Sequence, residues 1–293
     1  MTLEFVRQTA ERFDLQLDIV RRAAGGLIDR WYQRFDAAKR RYEALETYCL
    51  IGPWSSASLR FCTSETKVGP ISSFTNRVHK EERVIHVIGL RRQESAYRAK
   101  APIWRVDPKS SARTPIYHWH PIIDWGVSDV YDVHTTNQIP LHPAYVRFNS
   151  TRLSCSFCIL ASGRDIAASI YAKVNQPSLE RIVALELAST FSFQPGRWLA
   201  DFAQSSMPEN LASGIRLAQM RAQDRKSLEA GLPKDLRFQK GWPPRIPSIA
   251  EARSIARVRA RILDHHGLAN RFQSAGQIRD RFAQLHADIQ KSA

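Results

Sequence analysis

Apolar residues follow two rhythms along this chain, and each change of rhythm marks a change of element. Over residues 1–12, Phe5, Val6 and Ala10, with Phe13 just beyond, give a partial helical face. Residues 16–20, QLDIV, alternate polar and apolar and predict a short strand ended by Arg21 and Arg22. A polar helical region rich in Arg, Tyr and Ala follows over 27–47. The plainest strand is RVIHVIGLR at 83–91. There Val84, Ile85, Val87 and Ile88 form a near-continuous β-branched run, the pattern of a strand in a sheet covered on both faces. IYHWHPIIDW at 116–125 is a second extended piece, broken or ended at Pro121. SDVYDVH at 128–134 reads as a helix start with Ser128 as cap. Helices are predicted over 164–174 and 178–190, the second capped by Ser178. Past residue 195 Pro, Gly, Gln and Arg become more frequent, KGWPPRIP at 240–247 breaks the pattern, and a helical tail runs over 249–290. No internal repeat or sustained heptad interrupts this order.

Composition changes the picture in three ways. A chain of 293 residues with 43% apolar content can bury a full core, and its length suits one main domain with an appendage. No run approaches bilayer-spanning length, and the first residues lack a signal-peptide apolar core. Four cysteines are too few for a disulfide scaffold in a chain this long, so a reducing compartment, the cytoplasm, is the expectation. A formal charge of +15 favours polyanionic or multiply phosphorylated partners. It does not choose between DNA, RNA, a nucleotide and a sulfated metabolite. The basic residues are also spread along the chain, which is equally the pattern of a solvated basic surface.

The candidate chemistry lies in two clusters. Cys155 and Cys158 have the two-residue spacing that directs both sulfurs at one ion or cluster, with Cys62 and Cys49 available from elsewhere in the fold. An iron–sulfur cluster, a zinc ion and unliganded thiols all remain open at this level, and Leu50 and Ile51 beside Cys49 suit a core position. Between the cysteines, GLRRQESAYR at 89–98 sets Arg91, Arg92 and Arg98 around Glu94 and Ser95. Arg91, Arg98 and Lys67 are the anion-binding candidates, with Arg91 placed where a buried strand ends. Glu94 can hold one guanidinium and Ser95 can donate to an oxygen or cap the next turn. The bland alternative is a surface ion pair among Arg92, Glu94 and Arg98, worth under ~1 kcal/mol. His118 and His120 alternate on one strand face and, with His134 and His142, invite a metal reading. Trp119, Pro121 and Trp125 around them favour hydrogen-bonded structural histidines instead.

At these residues the chain resembles the phosphoadenosine phosphosulfate reductase family, within the wider group of adenine-nucleotide α-hydrolase-like, ATP-pyrophosphatase-type folds. The resemblance rests on RFCTSETKVGP at 60–70, GLRRQESAYR at 89–98, HPIIDWGVSDVYDV at 120–133, IPLHPAY at 139–145 and RLSCSFC at 152–158. It implies an α/β fold: an open, mostly parallel sheet with helices on both faces over 1–195, incomplete at its N-terminus, with a basic, mostly helical extension over 196–293. It also implies a [4Fe-4S] cluster, for which Cys62, Cys155 and Cys158 match three ligands. Thr63 stands where the fourth is expected, leaving Cys49 or an exogenous group. Lys67, Arg91 and Arg98 match residues that bind the phosphate or sulfate of ATP or an adenylyl sulfate nucleotide.

Two departures qualify that likeness. The family's SGGKDS phosphate loop is absent, together with its strand and helix and the next strand, so two strands would keep unpaired edges and exposed apolar faces. A late-assigned start, a separate chain supplying the missing half, or a degenerate remnant would each account for this. No cysteine follows Cys158, whereas sulfonucleotide reductases attack with one near the C-terminus. The leading expectation is therefore a nucleotide-binding iron–sulfur enzyme or subunit in sulfur transfer, with no membrane and with DNA or tRNA as candidate partners. Reduction of phosphoadenylyl or adenylyl sulfate to sulfite, and a non-catalytic nucleic-acid- or protein-binding remnant, are the alternatives. The catalytic residues are not identified by sequence.

Overall fold

The computed structural model of the protein describes residues 1–108, 110–203, 207–239 and 241–292. Helix accounts for 55% of it and strand for 5%, so the expected open, mostly parallel sheet with helices on both faces is not the architecture. The chain divides into two compact units, Met1–Gly26 with Arg60–Leu153, and Leu27–Leu59 with Ser154–Ala293. They interleave in sequence, and the boundary expected near residue 195 falls inside the second. Among the described residues no helix is long and apolar enough to cross a membrane.

In chain order the longer helices are α1 (Thr2–Arg12), α2 (Leu27–Glu43), α3 (Gly69–Val78), α4 (Val127–Thr136), α5 (Gly163–Tyr171), α6 (Gln176–Ser189), α7 (Glu209–Ala230), α8 (Ile249–His265) and α9 (Ala275–Ser292). The strands are β1 (Val84–Val87), β2 (Trp104–Val106) and β3 (Ile116–Trp119).

The first unit carries the sheet, in the order β1-β3-β2. β1 and β3 are parallel, with His86 opposite His118, and β2 is antiparallel to β3, with Arg105 opposite His118. Residues 16–20 form no strand: Leu15, Leu17 and Ile19 are exposed on irregular backbone. An extended segment without a neighbour leaves its ladder groups unpaired, and alternation alone does not supply one. The sheet is consequently two-sided in an unusual way. Strand alternation puts Ile85, Val87, Trp104, Val106, Tyr117 and Trp119 on one face, where Val87 is 60% and Val106 59% exposed. The opposite face holds Val84, His86, Ile116 and His118, and Thr75 of α3 reaches His86 there at 3.3 Å. The run read as covered on both faces is covered on one.

The second unit is helical. α2 buries Trp31, Phe35, Ala38 and Tyr42, a stripe of helical period. It packs on α6, which also contacts α7, while α8 packs on α7 and α9. α6 is not capped by Ser178. It starts two residues earlier behind Asn175, with Pro177 in its first turn, whereas α5 is capped by Ser162 accepting from the Asp165 N–H. Likewise α4 opens behind Gly126 rather than Ser128, with Asp129 accepting the Gly126 N–H at 2.7 Å. The core contains a fully buried cation: Arg259 lies over the Tyr42 ring at 4.4 Å, and burial holds its pKa down to about 10.

Candidate functional site

The ends of the parallel pair position the residues singled out at 89–98. Beyond β1 the Ile88 N–H donates to Trp119 O (2.9 Å) and the Arg92 N–H to Ile123 O (2.8 Å), so both chains leave the sheet together. The crevice outside the carboxyl ends of parallel strands is where open sheets present their ligand-binding loops. One turn of 3₁₀ helix, Arg92–Glu94, and the short helix Ala96–Ala99 then fold the segment back. Ser95 caps that helix, its Oγ accepting from the Arg98 N–H at 3.2 Å. Glu94 gathers the group: its carboxylate accepts the Arg91 backbone N–H (3.3 Å), forms a close ion pair with Arg98, and lies 4.0 Å from Arg91 Nε.

Neighbouring arginines here have different tasks. Arg92 binds Asp124 Oδ1 (2.5 Å) and donates to the carbonyls of Ala99 and Ala101, both at 2.8 Å, which locks the loop. Gln93 Oε1 accepts the Val127 N–H at 3.2 Å and ties the loop to the start of α4. Among the described residues Arg91 has no such partners beyond Glu94, and its Nη1 is buried without a hydrogen bond. Lys67 is exposed on a π-helical turn, Ser64–Val68, that leads into α3, and forms no ion pair among the described residues. Arg91, Glu94, Ser95 and Arg98 are thus brought together; among the described residues no hydrogen bond or ion pair joins Lys67 to them.

The cysteines do not build a cluster site. Among the described residues, one group of three or more His, Cys, Asp or Glu side chains has ligand atoms within 4.8 Å of one another, and it contains no cysteine. Cys62 belongs to the first unit, on the turn Phe61–Thr63, while Cys49, Cys155 and Cys158 belong to the second. Burial, aided by the Glu229 carboxylate, pushes the Cys49 thiol up to about 12. The expected [4Fe-4S] cofactor is therefore corrected, and no chemistry is routed through it.

Three of the four histidines noted in the sequence are structural. His120 Nδ1–H donates to Pro102 O (2.7 Å), His134 Nδ1–H to Ile139 O (3.0 Å), and His142 Nδ1 accepts the Ala144 N–H (3.0 Å). His118 differs. Its Nδ1 faces Arg105 Nε (3.2 Å) and Nη2 (2.9 Å), which can only donate, so Nε2 carries the proton and donates to Asp107 Oδ2 at 2.5 Å. Burial lowers its pKa, partly offset by Asp107. His86 completes this group, its ring centroid 5.5 Å from that of His118. The sequence analysis missed His86 and Asp107. The signal available was the equivalent place of His in IHVIG and YHWHP, but register was needed to pair them.

A protein of Escherichia phage 186, described as an uncharacterized 37.8 kDa protein in the gpa 5′ region, is 27% identical over 162 residues. That similarity covers 55% of this chain and 42% of the phage protein, so the chain spans under half of that relative's length. No solved structure matches. The family model for the phosphoadenosine phosphosulfate reductase domain matches residues 1–159, which include the whole 89–98 loop and both strands that carry it. The chain belongs to the phosphoadenosine phosphosulfate reductase domain family.

Proposed function

We propose that the first unit holds the phosphate or sulfate group of an adenine nucleotide on the 89–98 loop, and that the protein serves sulfur-transfer chemistry of its family. The observation that carries this reading is the grouping of Arg91, Glu94, Ser95 and Arg98 at the carboxyl end of the parallel strand pair. Glu94 fixes the guanidiniums, Arg98 keeps outward donors (its side chain is 43% exposed), and the Ser95 hydroxyl stands beside it. Oriented guanidinium forks suit a tetrahedral oxyanion and stabilise charge that develops on it. The test is calorimetric titration of the full chain with ATP, adenylyl sulfate and adenosine. Binding of the two charged ligands, weakened about tenfold to a hundredfold by Arg98→Ala, supports the seat; equal affinity for uncharged adenosine contradicts it.

A second reading, contact with DNA or tRNA, is favoured by one feature of the second unit. Arg253, Arg257 and Arg261 recur every four residues on the exposed side of α8, about 6 Å apart along the axis. Arg261 also pairs with Asp224 at 3.1 Å. The uncovered apolar sheet face and the free edge of β1 support, in addition, a separate polypeptide partner for the first unit.

A further inference from the structure

The covered face of the sheet carries a constellation that the nucleotide reading does not use. Three strands each contribute to it: His86 from β1, His118 opposite it on β3, and Asp107 from the residue after β2. Two imidazoles and one carboxylate, with ligand atoms within 4.8 Å of one another and all three side chains part-exposed, form the donor set of open metal centres. We propose that His86, Asp107 and His118 bind one divalent transition-metal ion of the zinc class, with the remaining coordination positions open to water or substrate. This assignment stands independently of the anion seat.

The side-chain geometry states what binding requires. One proton bridges His118 Nε2 and Asp107 Oδ2 at 2.5 Å. An ion with ligands at about 2.1 Å in tetrahedral array sets them about 3.4 Å apart. The metal would therefore take the place of that proton at Nε2 while His118 stays neutral by carrying its ring proton on Nδ1 instead, the pair opens by about 1 Å, and His86 closes in, exchanging its contact with Thr75 for the ion. The opposing element is Arg105. A metal-bound histidine ordinarily donates its second N–H to an acceptor, yet here Nδ1 faces a guanidinium that can only donate. Arg105 is an exposed residue on a sheet edge, so its side chain has room to leave when the ion enters. Arg105 thus sets the affinity of the site, holding it closed in the absence of metal.

The experiment titrates the metal-stripped full chain with Zn²⁺ by calorimetry and with Co²⁺ by visible absorption, the second reporting ligand type. One equivalent of Co²⁺ is expected, with a d–d spectrum lacking thiolate charge transfer. His86→Ala and Asp107→Asn are expected to weaken binding at least tenfold, and Arg105→Gln to strengthen it about tenfold. Circular dichroism checks that each variant is folded, and His86→Ala serves where a change at the more buried His118 disturbs the sheet. No stoichiometric binding to the native chain, a thiolate band, or unchanged affinity in folded His86→Ala and Asp107→Asn would each overturn the assignment. Unchanged affinity in Arg105→Gln would remove its gating role.

Discussion

Arg91 and Arg92 are adjacent and alike in sequence, yet Arg92 carries the hydrogen bonds that lock the loop, while Arg91 is held by Glu94 alone among the described residues. Arg92→Ala removes the link to Asp124 and to two carbonyls and is expected to cost about 1–2 kcal/mol of stability. Arg91→Ala is expected to leave the melting midpoint within about a degree while weakening nucleotide binding; parallel melting and titration of both variants separate the roles. The sequence identified the basic cluster but not this division of labour, because partners such as Asp124 and the Ala99 carbonyl come from the loop's folded path. Titration behaviour was equally hidden. His266 is held neutral by burial, with its pKa lowered to about 4 from 6.5, so its contribution is present above pH 6.5 and is lost as pH falls toward 4. Glu186 runs the other way. Burial raises it to about 7 from 4.5 despite three backbone N–H donors, so the folded state takes up its proton first and gains stability as pH falls from 7 to 4.5. His266→Gln therefore exposes the Glu186 effect. Between pH 7 and 4.5 its urea-unfolding free energy should change more favourably than that of the native chain by roughly 2–3 kcal/mol, and identical pH profiles would refute the assignment.

Elements differ in how plainly they are written in the sequence. α2 was legible as a polar helical region over 27–47, within which Trp31, Phe35 and Tyr42, with Ala38, repeat at helical spacing on one face. α7, the longest helix described, was not, since its buried positions are Ala218, Ala222 and Arg225, which give no hydrophobic rhythm. β2 escaped notice because it is only three residues long, and the 16–20 strand failed for want of a pairing partner. Caps were misplaced by a few residues for the same local reason: Ser128 and Ser178 lie inside helices opened by Gly126 and Asn175. At α8 the cap is fully formed. Ser248 accepts from the Glu251 N–H, and Glu251 returns to the Ser248 N–H while gripping Arg245 with both oxygens at 2.7 and 2.8 Å. Ser248→Ala is expected to destabilise the protein by about 1 kcal/mol, read as a shifted denaturation midpoint with unchanged slope.

At the scale of the whole molecule, a net charge of +15 coexists with an uncovered apolar sheet face. An exposed apolar face of this kind favours association. Val87→Lys, on the exposed face at the open edge, should reduce binding of an apolar dye and self-association without lowering the melting midpoint. An unchanged dye signal would place the apolar surface elsewhere. What sequence could not resolve was the metal question, because cysteine spacing describes a possible ligand pair while only the fold decides whether further thiols reach it. The most direct test of the central claim is hydrogen exchange of the full chain with and without adenylyl sulfate. Protection confined to 88–98 and the start of α4 is the expected result; protection absent there and present along α8 would contradict the anion seat and assign the charge to a polynucleotide.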